Sequence, residues 1–298
     1  MIIRTGWQRT RCLVLGLALT LPVQAEEPDA MAAAQAEYEA ANIAAMQAAV
    51  AGPTDITIND QAHLQLPEGM AFIPKQQTQR LLQAIDGQGD SAVEGTIIPQ
   101  SEDENWMLLV SYEKTGFIRD DDAKEWDPDG MLDSLKEGTE AANEERRQRG
   151  IPELEVLGWA EVPAYDSAQH QLRWSASARQ KGSVDSNYTI NYKTLALGRE
   201  GYIGMNLITD MENVDRLKPL ASQLINGIAY NDGKHYSDFS EETDQVAEYG
   251  LAALVAGVAA KKLGFFALAA AFFAKFAKVI FIAVAAGGAT LGKLFRRK

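Results

Sequence analysis

The stretch NYKTLALGREGYIGMNL, residues 191–207, decides the architecture of this chain. Segments 187–197 and 201–208 are rich in Ile, Leu, Tyr and Thr, the composition of strands. The glycines from Gly198 to Gly204 mark a tight hairpin between them. Working outward, segments 155–162 and 170–178 have the same character, with Trp159 and Trp174 fit for sheet faces. Pro163-Ala164-Tyr165-Asp166 reads as the turn between these two. Further strand-like segments occur at 55–66, 93–98 and 106–112, and helical patterns at 74–86, 128–149 and 212–227. The second helix is well bounded: Asp127 can cap it, Pro128 takes its first position, and Gly150-Ile151-Pro152 stops it. Strands that follow one another through short turns predict an α+β fold, mainly an antiparallel sheet with packed helices, over residues 54–230.

The flanks read differently. Residues 1–25 carry Arg4, Arg9 and Arg11, then an apolar stretch, then Val23-Gln24-Ala25, the layout of a cleaved signal peptide. Cys12 is the only cysteine and lies within it, so the mature chain has no disulfide, thiolate nucleophile or cysteine-based zinc site. Residues 26–53 form an Ala-rich helix closed by Gly52-Pro53, a spacer or packing helix by default.

Residues 251–298 read as a membrane-anchoring helical region with a basic end. A span from about 276 to 295 places Lys275 and Lys278 at the outer interface, where they can snorkel. Lys293, Arg296 and Arg297 then mark the cytoplasmic side. From Lys275 to Lys293, 18 residues of helix reach about 27 Å, close to the hydrocarbon thickness of about 30 Å. The stretch 249–274 suits an interfacial or packing helix, a second span, or a buried helical pair.

Charge separates these parts. No acid occurs in 1–25 or after Glu248, so all 41 lie in 26–248. That segment has 17 basic residues and a net charge of −24, whereas 249–298 carries +8. Nucleic acid is disfavoured as a partner of so acidic a domain.

Several strings imitate functional motifs. Gly287–Lys293 (GGATLGK) has phosphate-loop spacing, but Leu294 stands where Ser or Thr would hold Mg²⁺, and no strand precedes it. Glu125–Gly130 (EWDPDG) resembles the start of a calcium loop, yet Lys136 occupies the twelfth position. Asp120, Asp121 and Asp122 are expected in a solvated acidic loop. His63, His170 and His235 have no metal-binding spacing, and His170 reads as a structural residue rather than a base. No nucleophile signature appears, and neither a metal nor a cofactor is expected.

Four ordered blocks carry a resemblance: GFIRDDDAKEWD (116–127), GWAEVPAYDSAQHQLRW (158–174), NYKTLALGREGYIGMNL (191–207) and AYNDGKHYSDFSEETDQVAEYGLAALVAG (229–257). They resemble a bacterial family of uncharacterised membrane-anchored proteins, classed as a domain of unknown function. The resemblance implies an exported domain with a C-terminal membrane segment, and no catalytic residues. The polar, aromatic juncture 231–250 is unusual for a linker. Tyr236, Phe239 and Tyr249 suggest docking, on its own domain or on a partner.

Two functions are expected from this. The first is a non-enzymatic binding or assembly module of the cell envelope, anchored in the inner membrane with its domain periplasmic and its C-terminus cytoplasmic. Its partner would be another envelope protein or a second copy. The alternative is an envelope hydrolase or transferase with a site near the acidic segment 119–129.

Overall fold

The computed structural model describes residues 27–256 except 87–88, 102, 149, 151 and 184–188. The chain begins with α1 (Glu27–Ala48), β1 (Val50–Ala51), β2 (Thr54–Ile58), β3 (Ala62–Leu66) and β4 (Met70–Pro74). Next come α2 (Lys75–Asp86), β5 (Val93–Pro99), β6 (Met107–Glu113), a short 3-10 helix (Asp121–Glu125) and α3 (Pro128–Gln148). Four long strands follow: β7 (Leu154–Asp166), β8 (Gln171–Gln180), β9 (Thr189–Leu197) and β10 (Tyr202–Asp210). The last elements are α4 (Val214–Asn226), β11 (Ile228–Tyr230), a 3-10 turn (Tyr236–Asp238) and α5 (Leu251–Ala256).

The main sheet has eight strands in the order β1-β4-β5-β6-β10-β9-β8-β7, and every neighbouring pair is antiparallel. A second antiparallel sheet has the order β11-β3-β2. This is the α+β class, with a large antiparallel sheet, that the strand series predicts. The β9–β10 hairpin closes through Gly198 N–H donating to the Gly201 carbonyl at 2.8 Å. Gly201 sits at φ +155°, where a Cβ would meet the Glu113 carbonyl oxygen at 1.9 Å, so a side chain has no room there.

Strand alternation gives the main sheet two working faces. Ile190, Tyr192 and Ala196 of β9 point to the first face, with Ile203, Met205 and Leu207 of β10. They pack against the small sheet (Ile58, Leu64) and α4 (Leu217, Leu224) in the larger core. Leu195 and Leu197 point to the opposite face. There they join Leu172, Trp174, Met131 of α3, and Leu251 and Val255 of α5 in a second, smaller core.

The structure corrects several sequence expectations. Segment 55–66 is two strands, because Asn59 adopts φ +52° and turns the chain between β2 and β3. β4 is buried at Ala71, Phe72 and Ile73, so it lacks the alternation that reveals a strand. Pro163-Ala164-Tyr165-Asp166 is no turn but the end of β7. That strand lies at the sheet edge, and its pairing is irregular between Glu161 and Ala164, where a residue without an N–H is tolerated. Of the two roles expected for residues 26–53, spacer or packing helix, α1 shows packing contacts: Ala41 and Ala45 are fully buried, Glu37 pairs with Arg80 of α2 at 2.8 Å, and β1 after it pairs with β4.

Residues 251–256, expected in the membrane-anchoring region, pack on the domain, with Leu251 and Val255 buried. Among the described residues no helix is long and apolar enough to cross a membrane. The expected signal peptide (1–25), the expected span (276–295), and Lys275, Lys278, Lys293, Arg296 and Arg297 lie outside the described residues.

Candidate functional site

The juncture 231–250 is fastened to its own domain along most of its length. Lys234 Nζ donates to Glu200 at 2.7 Å, and Arg199 N–H donates to the Lys234 carbonyl at 3.0 Å. The Phe117 ring packs against Phe239, centroids 3.8 Å apart, and against Tyr236 at 4.4 Å. The Tyr236 hydroxyl donates to the Ile118 carbonyl at 2.8 Å. Arg199 then grips Asp244 with two hydrogen bonds of 2.7 and 2.8 Å, while the Ser240 N–H donates to the same carboxylate. These donors hold the Asp244 carboxyl far below the ordinary range, the Arg199 bond being the largest cause.

Beyond Asp244 the chain adds a parallel bridge to the main body. Phe117 N–H donates to the Gln245 carbonyl at 2.8 Å, and Ala247 N–H donates to the Phe117 carbonyl at 2.8 Å. Gly116 makes this approach possible. It sits at φ +87°, and a Cβ there would lie 2.6 Å from the Gln245 carbonyl oxygen. Tyr249 packs against the second core. Asp122 accepts from Leu251 N–H at 3.2 Å and Ala252 N–H at 3.0 Å, satisfying free donors at the start of α5.

The acidic segment is therefore part of the clasp and not only a solvated loop, which corrects the expectation for Asp120 and Asp122. Asp120 accepts from the Tyr165 hydroxyl at 2.8 Å, and that hydroxyl lies 3.2 Å from His170 Nδ1. The His170 ring stacks on Tyr236 at 4.1 Å. Arg119 pairs with Glu241 at 3.1 Å, and Trp159 Nε1 donates to the Pro128 carbonyl at 3.0 Å. Burial, aided by the bond to Asp120, pushes the Tyr165 phenol well above its ordinary range. Among the described residues no three His, Cys, Asp or Glu side chains gather where they could hold a metal.

Tyr236 and Phe239 thus meet at Phe117, with Tyr249 in the adjoining core. Sequence reasoning missed Phe117, Arg199 and Asp244. Neither a Gly-rich turn nor an acidic linker signals its partner in sequence, because Arg199 and Asp244 are 45 residues apart. One signal was present: the four blocks that carried the resemblance. Phe117, Asp120 and Asp122 come from the first, Tyr165 and His170 from the second, Arg199 from the third. The fourth supplies Tyr236, Phe239, Asp244 and Leu251. All four converge on the clasp.

The comparison with known families decides the relationship. The chain belongs to the family described as protein of unknown function (DUF2167). The family's profile matches residues 50–285, from β1 into the apolar tail. No curated protein sequence matches the chain. Among solved structures it is similar to cyanobacterial PsbP (CyanoP) from Synechocystis, at 13% identity and a TM-score of 0.36. That alignment covers 61% of this chain and 94% of the other. It is also similar to the Ran-binding protein Mog1p of Saccharomyces cerevisiae, at 11% identity and a TM-score of 0.33, over 64% of this chain and all of the other. These likenesses are too remote to bear on function.

Proposed function

We propose that this protein is an exported, membrane-anchored module of the cell envelope that binds or assembles with protein partners and has no catalytic role. In this reading residues 1–25 are cleaved, the domain is periplasmic, and a span near 276–295 ends in the cytoplasm. One observation carries it: four stretches far apart in sequence meet in a clasp that fixes the start of the apolar tail to the domain. A clasp of this kind holds the domain in a set orientation to its anchor, as suits a presenting module. The segment that the enzymatic alternative requires, 119–129, uses Asp120 and Asp122 as structural acceptors instead. The acid-free +8 tail after Glu248 supports the anchor and its orientation.

Reporter fusions test it. A periplasm-active reporter works after Asp232 and a cytoplasm-active one works after Lys298. Cytoplasmic activity at Asp232 overturns the export, and periplasmic activity at Lys298 overturns the single span. Crosslinking in intact cells from positions 233–250 then identifies the partner, an envelope protein or a second copy.

A further inference from the structure

A cleft of about 440 Å³ opens between the β2–β3 turn, the start of β5 and the end of β6. That space falls within the roughly 300–1,000 Å³ of small-molecule sites. Such sites are mostly apolar, whereas this one is lined largely by side chains that donate or accept hydrogen bonds. Asp60, Glu94 and Glu113 bring three carboxylates, and Lys75 and Lys114 two ammoniums. Glu94 accepts from Lys75 Nζ at 2.7 Å and from Asn59 Nδ2 at 2.9 Å, both bonds falling on Oε1.

Tyr112, in the wall of the cleft, is 9% exposed. Its hydroxyl is closed to solvent and has no hydrogen-bond partner among the described residues. Burial, with the Glu200 and Asp60 carboxylates nearby, pushes the phenol above its ordinary range, so it stays protonated. A buried hydroxyl without a partner carries a desolvation cost that its neighbours do not offset.

The lining restricts the charge of a ligand. An anion meets the three carboxylates, and a cation meets Lys75 and Lys114. Hydroxyl groups suit both signs, because each can donate to a carboxylate and accept from an ammonium or a phenol. We propose that this cleft binds a neutral polyhydroxyl ring, a saccharide, with one hydroxyl on Glu94 and another on Tyr112. The Tyr112 hydroxyl becomes reachable when Lys114 moves aside. That side chain is 72% exposed and held by an ion pair of 3.4 Å to Glu200, a weak restraint at a surface. The wall is also tied to the juncture. Asn231 donates its N–H to the Gln61 carbonyl and its Nδ2 to the Asp60 carbonyl, each at 2.9 Å. Lys234 spans Asp60 at 3.5 Å and Glu200 at 2.7 Å. A sugar held here therefore lies against the segment that leads into the clasp.

This site goes beyond the protein-binding reading and can fail while that reading and its topology hold. The test is saturation-transfer NMR on the full chain, kept free of glycoside detergents. The probes are glucose, N-acetylglucosamine and the N-acetylglucosamine tetramer, and at least one should receive transfer. Signal from the tetramer alone marks a glycan chain as the source, and signal from a monosaccharide marks a free sugar. Tyr112→Phe should weaken that binding several-fold while the melting temperature stays level or rises, since the hydroxyl removed has no partner. Glu94→Gln should weaken it as well. No transfer from any probe overturns the proposal, as does transfer unchanged in both variants. A fall in the melting temperature of Tyr112→Phe also overturns it, because the hydroxyl would then serve the fold. Displacement of the sugar by millimolar inorganic phosphate or putrescine overturns it in favour of an anion or a cation.

Discussion

The two cores of this protein lie on opposite faces of one sheet and are built in different ways. The first is closed by the small sheet and α4, elements whose apolar patterns are strong in sequence. Leu108, Leu64 and Leu224 are buried there at 0–1% exposure. The second is closed by Met131 of α3 together with pieces that have little structure of their own: a 3-10 turn, the juncture and six residues of α5. They are held by contacts across great sequence separation, such as Tyr236 to Ile118, 118 residues apart, and Leu251 to Asp122, 129 apart. A core with fewer buried apolar residues, closed by short elements, is expected to open at lower free energy. It is also the part from which the chain leaves the described domain, at Ala256.

The largest expected effect tests this difference. Leu108→Ala leaves a cavity in the first core and should lower global stability by about 2–5 kcal/mol, read from the denaturant midpoint. Leu251→Ala should register first as faster hydrogen exchange at the Phe117 and Ala247 amides, with a smaller shift of that midpoint. Equal midpoint losses would mean that the two cores unfold as one unit.

A smaller effect separates the neighbours of the acidic run. Asp122→Ala removes the acceptor for two α5 amides and should cost about 1 kcal/mol, as for the loss of a helix cap. Asp121 is exposed, and Asp121→Ala should stay within about 0.5 kcal/mol. Equal costs would return the whole run to a solvated loop.

The smallest global effect concerns pH. Asp244 is depressed in the folded state, so the unfolded chain binds the extra proton as acid is added. The contribution of the Arg199–Asp244 pair is therefore complete above the ordinary carboxylate pKa of about 4 and fades as pH falls below it. Hydrogen exchange at Phe117 and Ala247 should accelerate in that acid window before the first core responds. Asp244→Asn should remove most of this pH dependence. If the variant keeps it, another carboxylate holds the clasp.

Sequence by itself determined the class and most of the elements. The β9–β10 hairpin, α2, α3 and α4 were legible because apolar periodicity, Gly turns and Pro128 act within a few residues. The juncture's aromatics were also visible as too costly for a mere linker. The tertiary structure decided which surfaces they meet. The order of the eight strands, the edge position that admits Pro163 into β7, and the burial of β4 depend on neighbours distant in the chain. So do the bidentate grip of Arg199 on Asp244 and the turning of Asp120 and Asp122 from solvated charge to acceptors. A local pattern can specify a turn or an amphipathic face, because its donors, acceptors and steric limits lie in adjacent residues. It cannot name a hydrogen-bond partner 129 residues away, since that pairing exists only once packing has brought the two together.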